Sequence, residues 1–130
     1  MIALDTNALV RLLIVDDGAQ YQAVRRLASQ QRILLLRTVL LEAEWLLRGR
    51  FKLERSLILA FFAGLADTEN VVIEDEAAVR RALGAYGQGL DFADAMHWAS
   101  AGDTPLHSFD EKFVKRASKL GGQVKLIKLR

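Results

Sequence analysis

Short apolar runs alternate along the chain with longer segments that have helical spacing. The runs are rich in Ile, Val and Leu, and they fall at 2–4, 33–36, 71–73, 105–107 and 124–127. Runs of this length and content are typical of strands that are buried on both faces. The pattern therefore predicts a mainly parallel sheet of about five strands.

The segments between these runs place apolar residues on one helical face. In 75–86, for example, Val79, Ala82, Leu83 and Tyr86 share a face. Strands that alternate with helices are typical of the α/β class, in which helices cover both faces of a parallel sheet. We therefore expect a three-layer α/β/α sandwich, with helices at 17–31, 38–49, 54–66, 75–86, 91–101 and 110–120.

Composition adds limits to this picture. The chain has one proline and no low-complexity stretch, so no segment is typical of a linker between domains. Residues 1–130 are therefore predicted to form a single domain. The absence of cysteine excludes disulfides and thiolate metal sites, and it favours a cytoplasmic location. No apolar run approaches the ~20 residues of a membrane helix, and no signal peptide is recognised, so no membrane partner is expected.

Acidic residues follow two of the predicted strands. Asp5 comes after the first strand and Asp110 after the fourth, and ligands of parallel sheets bind beyond the carboxyl ends of the strands. Asp91 and Asp94 are three residues apart, on one side of the first turn of a predicted helix. For Asp91, stabilisation of the helix dipole is an equally good interpretation.

Two further acids occur in the helix predicted at 38–49. This helix is apolar nearly all round and should be buried, so a carboxylate on it needs a partner. Helical periodicity does not choose between Glu42 and Glu44. Near the first strand, Thr6 and Asn7 are candidates to orient a ligand or bind a phosphate oxygen; their alternative role is to cap the next helix, a role that suits Thr6 better than Asn7.

Four carboxylates gathered in one place would repel one another. Two of them ~4 Å apart repel by roughly 4 kcal/mol at an effective dielectric constant near 20, so a group of four requires protons or a cation. With oxygen ligands only, that cation would be Mg²⁺ or Mn²⁺. Such a site supports attack of metal-activated water on a phosphodiester.

The charge balance is compatible with a polyanionic substrate. The chain has 18 basic and 16 acidic residues, a net charge of +2. With four acids in one cleft, the remaining surface would carry 18 bases against 16 − 4 = 12 acids, or +6. A basic surface around an acidic cleft attracts nucleic acid.

Four stretches of the chain resemble one known family. "ALDTN", "TVLLEAEWLL", "DFADAMHWA" and "LHSFDEKF" follow the order and rough spacing of PIN-domain nucleases, and the whole chain is most similar to the VapC-type toxins of bacterial toxin–antitoxin systems. By this resemblance Glu42, rather than Glu44, is the second acid of the site. The resemblance implies a metal-binding and catalytic set of Asp5, Glu42, Asp94 and Asp110, with Asp91 as a frequent companion and Ser108 in place of the usual threonine.

The resemblance also implies an activity and partners. It implies a magnesium-dependent endoribonuclease that forms a homodimer, and a cognate antitoxin that blocks the acidic cleft. Two alternatives remain open: a non-catalytic PIN-like module that binds RNA or protein, and an aspartyl-phosphate phosphatase. The phosphatase is disfavoured because Asn7 stands where its second aspartate is expected.

Other side chains with chemical potential receive structural interpretations. We expect His97 to be a packing residue rather than a general base. Trp45 and Trp98 are expected to lie in the core rather than to stack on bases.

Overall fold

The computed structural model describes residues 1–129, which form five strands and seven helices. The strands are β1 (Ile2–Ala3), β2 (Ile33–Leu35), β3 (Val71–Ile73), β4 (Leu106–Ser108) and β5 (Val124–Leu126). The helices are α1 (Thr6–Leu13), α2 (Gly18–Gln30), α3 (Arg37–Gly49), α4 (Arg55–Ala66), α5 (Glu76–Gly87), α6 (Phe92–Ala101) and α7 (Glu111–Lys119). The chain divides into two compact units, Met1–Glu76 and the part that begins at Ala77.

The first unit contains a three-stranded parallel sheet in the order β1-β2-β3. Ile33 of the central strand pairs with Ile2 on one side and with Val71 on the other. Parallel neighbours require crossover connections, which α1 and α2 provide before β2, and α3 and α4 provide after it. The core of this unit includes Leu9, Ile33, Leu35, Leu40, Leu47, Ile58 and Phe62.

The second unit contains the parallel pair β4 and β5, in which Leu106 lies opposite Val124. Two helices of this unit bury the apolar faces that their spacing predicts. On α5 these are Val79, Ala82, Leu83 and Tyr86, and on α6 they are Phe92, Ala95, Met96 and Ala99. The rings of Tyr86 and Phe92 meet edge to face, with centroids 5.2 Å apart.

The predicted fold class is confirmed. Each of the five apolar runs overlaps a strand, every pairing is parallel, and helices separate the strands as the three-layer α/β/α prediction requires. The described strands are divided between a three-stranded and a two-stranded sheet. The single domain 1–130 stays a prediction. Among residues 1–129, no helix is both long enough and apolar enough to cross a membrane.

Candidate functional site

Asp5 occupies the short connection between β1 and α1. Its backbone is extended, and its Oδ1 accepts a hydrogen bond from the backbone N–H of Ala8 at 2.9 Å. Aspartate is a favoured N-cap because its carboxylate satisfies an N–H that lacks an intrahelical partner and complements the helix dipole. The Asp5 side chain is exposed, and this hydrogen bond engages one of its two oxygens. The cap therefore fixes the carboxylate at the end of the strand without excluding a ligand role.

Thr6, the residue after Asp5, contacts α3, the helix that follows the neighbouring strand β2. Its side chain is buried, and its Oγ1 donates to Oε1 of Glu42 at 2.5 Å. Because β1 and β2 are adjacent and parallel, the helices that follow them begin at the same edge of the sheet. The capping role considered as an alternative for Thr6 is not found: Asp5 is the cap, and Thr6 holds Glu42. Asn7 is exposed, and its role stays a prediction.

The two glutamates of α3 have different surroundings. Glu44 is 3% exposed, and Arg48, one turn later, donates to both of its oxygens, from Nε at 2.8 Å and from Nη2 at 3.3 Å. A buried carboxylate that accepts two hydrogen bonds from one guanidinium group is a structural ion pair. Glu42 is exposed on the same helix. This difference favours Glu42 over Glu44 as a metal ligand, as the family resemblance implies.

A glutamate beyond β3 anchors the beginning of α3. The N-cap residue of this helix, Leu36, has no side-chain cap, and the backbone N–H of Arg37 donates to Oε1 of Glu74 at 2.9 Å. That bond, together with the Arg37 side chain, lowers the pKa of Glu74 against a smaller opposing effect of burial. Sequence reasoning missed this residue, although an acid directly after a strand was the available signal.

Three aspartates of the second unit stand at the beginnings of α6 and α7. Asp91 caps α6, where its Oδ2 accepts from the backbone N–H of Asp94 at 3.2 Å. Asp110 caps α7, where its Oδ1 accepts from the backbone N–H of Phe113 at 3.1 Å. Ser108, the last residue of β4, accepts at Oγ from the backbone N–H of Asp110 at 3.0 Å. The serine hydroxyl therefore shapes the turn that presents Asp110.

Asp94 is the most perturbed of these carboxyls. Burial raises its pKa, and the negative charges of Asp91 and Asp110 raise it further, while His97 acts weakly in the opposite direction. A carboxyl with this balance resists ionisation unless a positive charge is supplied. Perturbed acids of this kind concentrate at functional sites.

The chemistry of the candidate ligands suits a hard divalent ion, but their arrangement does not. Carboxylate and hydroxyl oxygens are the ligands of Mg²⁺ and Mn²⁺. Within residues 1–129, however, no group of three or more His, Asp or Glu side chains is arranged so that it could hold a metal ion. Thr6 connects to Glu42 in the first unit, and Asp91, Asp94 and Asp110 interact in the second. A single site shared by all four predicted acids stays a prediction.

Several side chains near these acids differ from expectation. Trp45 is 64% exposed on α3, three residues after Glu42, so the expectation that it lies in the core was wrong. The face it shares with Glu42 is exposed because α3 buries the opposite side of the helix. His97 is exposed too, so it is not a packing residue.

Trp98 fits its structural interpretation more closely. It is partly buried, and the Arg81 guanidinium carbon lies 4.9 Å from the centre of its ring. A Cβ added at Gly122 would overlap its indole, so a glycine is required there. The indole therefore packs against the backbone of the second unit.

Comparison with known proteins identifies the family. The model of the PIN domain matches residues 2–119, nearly the whole chain. No curated protein sequence matches the chain at a significant level. PIN domains are typically nucleases, and they generally use divalent metal ions. The extent of the match, together with the α/β fold and the acids at the strand and helix ends, shows that this chain belongs to the PIN domain family.

Proposed function

We propose that the protein is a magnesium- or manganese-dependent endoribonuclease that acts as the toxin of a toxin–antitoxin pair. The observation that carries the proposal is the match of residues 2–119 to the PIN domain family; the partial burial of Asp94 near Asp91 and Asp110, which raises its pKa, supports it. A carboxyl whose ionisation is opposed by burial and by neighbouring carboxylates is poorly suited to a purely structural role. Such a carboxyl is well suited to bind a cation, because the positive charge offsets the repulsion between the neighbouring carboxylates.

Each candidate residue has a distinct task in this proposal. Asp5, Glu42, Asp94 and Asp110 would hold the ion, and the assignment of all four to one ion rests on their order in the PIN pattern. A bound divalent ion would lower the pKa of its water and offset charge that develops on the phosphate. The Thr6 hydroxyl orients Glu42, and the Ser108 hydroxyl orients the turn of Asp110.

The finer parts of the proposal come from the resemblance to VapC-type toxins. They are the choice of RNA as substrate, cleavage within the strand, a homodimer, a cytoplasmic location and a cognate antitoxin. The basic balance of the surface outside the acids supports a polyanionic substrate. Expression of the protein in bacterial cells should arrest growth, and sequencing the ends of the RNAs cut in those cells would identify the target.

The central test is cleavage of single-stranded RNA with Mg²⁺ and with EDTA, using Asp5→Asn. Asparagine caps a helix as well as aspartate does, so this change keeps the cap and removes the charge. We expect a loss of at least about 100-fold, because even residues that only support a ligand cost about 10–100-fold when changed. Asp17→Asn is the matched control, because Asp17 caps α2 in the same way, with Oδ1 accepting from Gln20 at 3.0 Å.

The same assay separates the alternatives. RNA binding without metal and without cleavage would favour a non-catalytic binding module. Release of phosphate from small phosphomonoesters would favour an aspartyl-phosphate phosphatase. Equal losses in Asp5→Asn and Asp17→Asn would show that the loss reflects removal of a negative charge from a helix N-terminus rather than of a metal ligand, which would contradict the site assignment.

A further inference from the structure

We infer that the pocket between the end of α7 and the loop before α6 binds a phosphate group of the RNA, at a position other than the scissile phosphate. This inference rests on the proposed nuclease function and adds a substrate contact to it. The pocket lies wholly within the second unit and has a volume of ≈ 360 Å³. It is lined by Gln88, Gly89, Leu90, Arg116, Lys119 and Leu120.

The charge of this pocket has one sign. Its two ionisable lining residues, Arg116 and Lys119, are both basic, and they lie three residues apart on one face of α7. Neither forms an ion pair with an acidic side chain in the described part of the chain. The pocket is therefore a basic concavity whose charges are available to a bound anion.

The apolar part of the lining strengthens that charge. Leu90 is buried and Leu120 is partly buried, so water has limited access to this side of the pocket. A cleft with low-dielectric walls and charges of one sign focuses the electrostatic potential and raises the local concentration of counter-ions. The arrangement favours an anion over a neutral ligand.

Arg116 is already oriented toward the loop that forms the opposite wall. Its Nη1 donates to the carbonyl oxygen of Gly89 at 3.4 Å, which is a long and weak bond. That contact uses one of the five N–H donors of a guanidinium group. The remaining donors match the paired oxygens of a phosphate, which arginine recognises through two parallel hydrogen bonds.

The position of the pocket relates it to the acids of the same unit. The loop that forms one wall leads directly into Asp91, and α7, which forms the other, begins after Asp110. From Asp110 to Arg116 the helix advances by about 9 Å. One RNA strand could therefore contact both the pocket and these acids through different phosphates.

Basic residues in the last turn of a helix also have a simpler explanation. They complement the negative end of the helix dipole, and this alone would favour Arg116 and Lys119. Helix α7 also carries a control for the effect of general positive charge on RNA binding, because Lys112 and Lys115 are exposed on the same helix and do not line the pocket. A specific phosphate contact predicts that the two pairs of residues behave differently.

The test compares Arg116→Gln/Lys119→Gln with Lys112→Gln/Lys115→Gln. Both variants lose two positive charges from α7. Binding of a short, labelled, single-stranded RNA to the full chain would be measured in EDTA over a series of salt concentrations. Without metal the RNA stays intact, so the result does not depend on whether the protein cleaves RNA.

We expect the pocket variant to bind RNA about tenfold or more weakly, as the loss of charged hydrogen bonds predicts. We also expect the slope of log affinity against log salt to decrease in magnitude by about 0.7, the value for one phosphate contact on a single strand. The control variant should show a smaller loss of affinity. Equal losses in the two variants would overturn the inference, since general charge would then explain the binding.

A second ligand distinguishes RNA from acidic protein. Polyglutamate presents carboxylates in place of phosphates and would be tested as a competitor against the same labelled RNA. If the pocket substitutions weaken polyglutamate binding while RNA binding is unchanged, the pocket serves an acidic peptide and the inference is wrong. Unfolding midpoints of both variants would exclude loss of the fold, and cleavage with Mg²⁺ would be scored separately.

Discussion

Two carboxylates, one in each unit, have pKa values that move in opposite directions. The pKa of Glu74 is lowered, because the backbone N–H and the side chain of Arg37 surround it with donors. The pKa of Asp94 is raised, because burial and the negative charges of Asp91 and Asp110 outweigh the smaller opposing effect of His97. The first carboxylate stabilises a helix, whereas the second is held in a place that disfavours its ionised form. The contrast separates an acid that serves the fold from an acid that we propose binds a ligand.

The hydroxyls beside the candidate acids differ between the units in a similar way. In the first unit, the buried Thr6 hydroxyl donates directly to the Glu42 carboxylate. In the second unit, the Ser108 hydroxyl accepts from the backbone N–H of Asp110 and does not touch its carboxylate. Loss of the first hydroxyl should therefore disturb a functional group directly, and loss of the second should disturb only the turn that carries one.

The largest expected effect among the changes that sharpen this comparison is that of Thr6→Val. Valine fills the buried site but removes the donor that fixes Glu42. We expect RNA cleavage to fall about 10–100-fold, as is typical when a partner of a metal ligand is lost. Thr6→Ser keeps the donor and should retain most of the activity. Rates with saturating Mg²⁺ and unfolding midpoints would be measured for both variants.

Ser108→Ala provides the comparison in the second unit. Its effect on cleavage should be smaller, because water can replace the serine oxygen as acceptor at an exposed N–H.

If Thr6→Val cleaves RNA as fast as the unmodified protein, Glu42 is either not a ligand or not positioned by Thr6. Either outcome would remove the distinction drawn between the two units.

The local parts of this architecture were predictable from the sequence. The strand at 71–73 was found at the predicted residues, because a short run of β-branched Val and Ile favours a strand, although only Ile73 of this strand is fully buried. Asp5 and Asp110 were found at strand ends for the same local reason. Their capping bonds span only three residues, so short-range pattern and propensity are sufficient to place them.

The long-range parts were not predictable in the same way. The Thr6–Glu42 bond joins residues 36 apart, and the bond from Arg37 to Glu74 joins residues 37 apart. The helical wheel left Glu42 and Glu44 equivalent, and packing of α3 in the first unit decides which is buried. Trp45 illustrates the same limit. Its large apolar side chain indicates burial, but it lies on the exposed face of the helix.

An intermediate effect is expected for Glu74→Ala. The change removes the acceptor at the beginning of α3 and should reduce the free energy of unfolding by about 1 kcal/mol at neutral pH, the usual cost of a lost cap. Glu74→Gln keeps an acceptor and should cost less. Unfolding midpoints at neutral pH measure both. A cost for Glu74→Gln as large as that for Glu74→Ala would show that the charge, rather than the hydrogen bond, stabilises the helix.

The pH dependence of Glu74 has a defined sign. Because the pKa is lowered in the folded protein, its contribution is present above the unfolded value of about 4.3 and is lost as pH falls through the lower, folded value. The difference between the unmodified protein and Glu74→Gln should therefore shrink below about pH 4. A difference that is independent of pH would contradict the role of the charge.

The smallest effect, and the one that most directly tests the contrast, is that of Asp94→Asn on stability without metal. Because the folded pKa of Asp94 is raised, stability falls as pH rises from about 3.9 through the folded value, and the penalty is complete at neutral pH. In EDTA at neutral pH the variant should be more stable, by less than about 1 kcal/mol because solvent screens a partly exposed carboxyl. Below about pH 3.9 the two proteins should converge.

Mg²⁺ should reverse that order. A ligand that binds the folded state stabilises it in proportion to its affinity, so Mg²⁺ should raise the unfolding midpoint of the unmodified protein more than that of Asp94→Asn. Asp103→Asn, an exposed aspartate of the same unit, is the control and should respond to Mg²⁺ as the unmodified protein does. If Asp94→Asn is less stable than the unmodified protein in EDTA at neutral pH, or if Mg²⁺ stabilises both proteins equally, then Asp94 has a structural role, as Glu74 does.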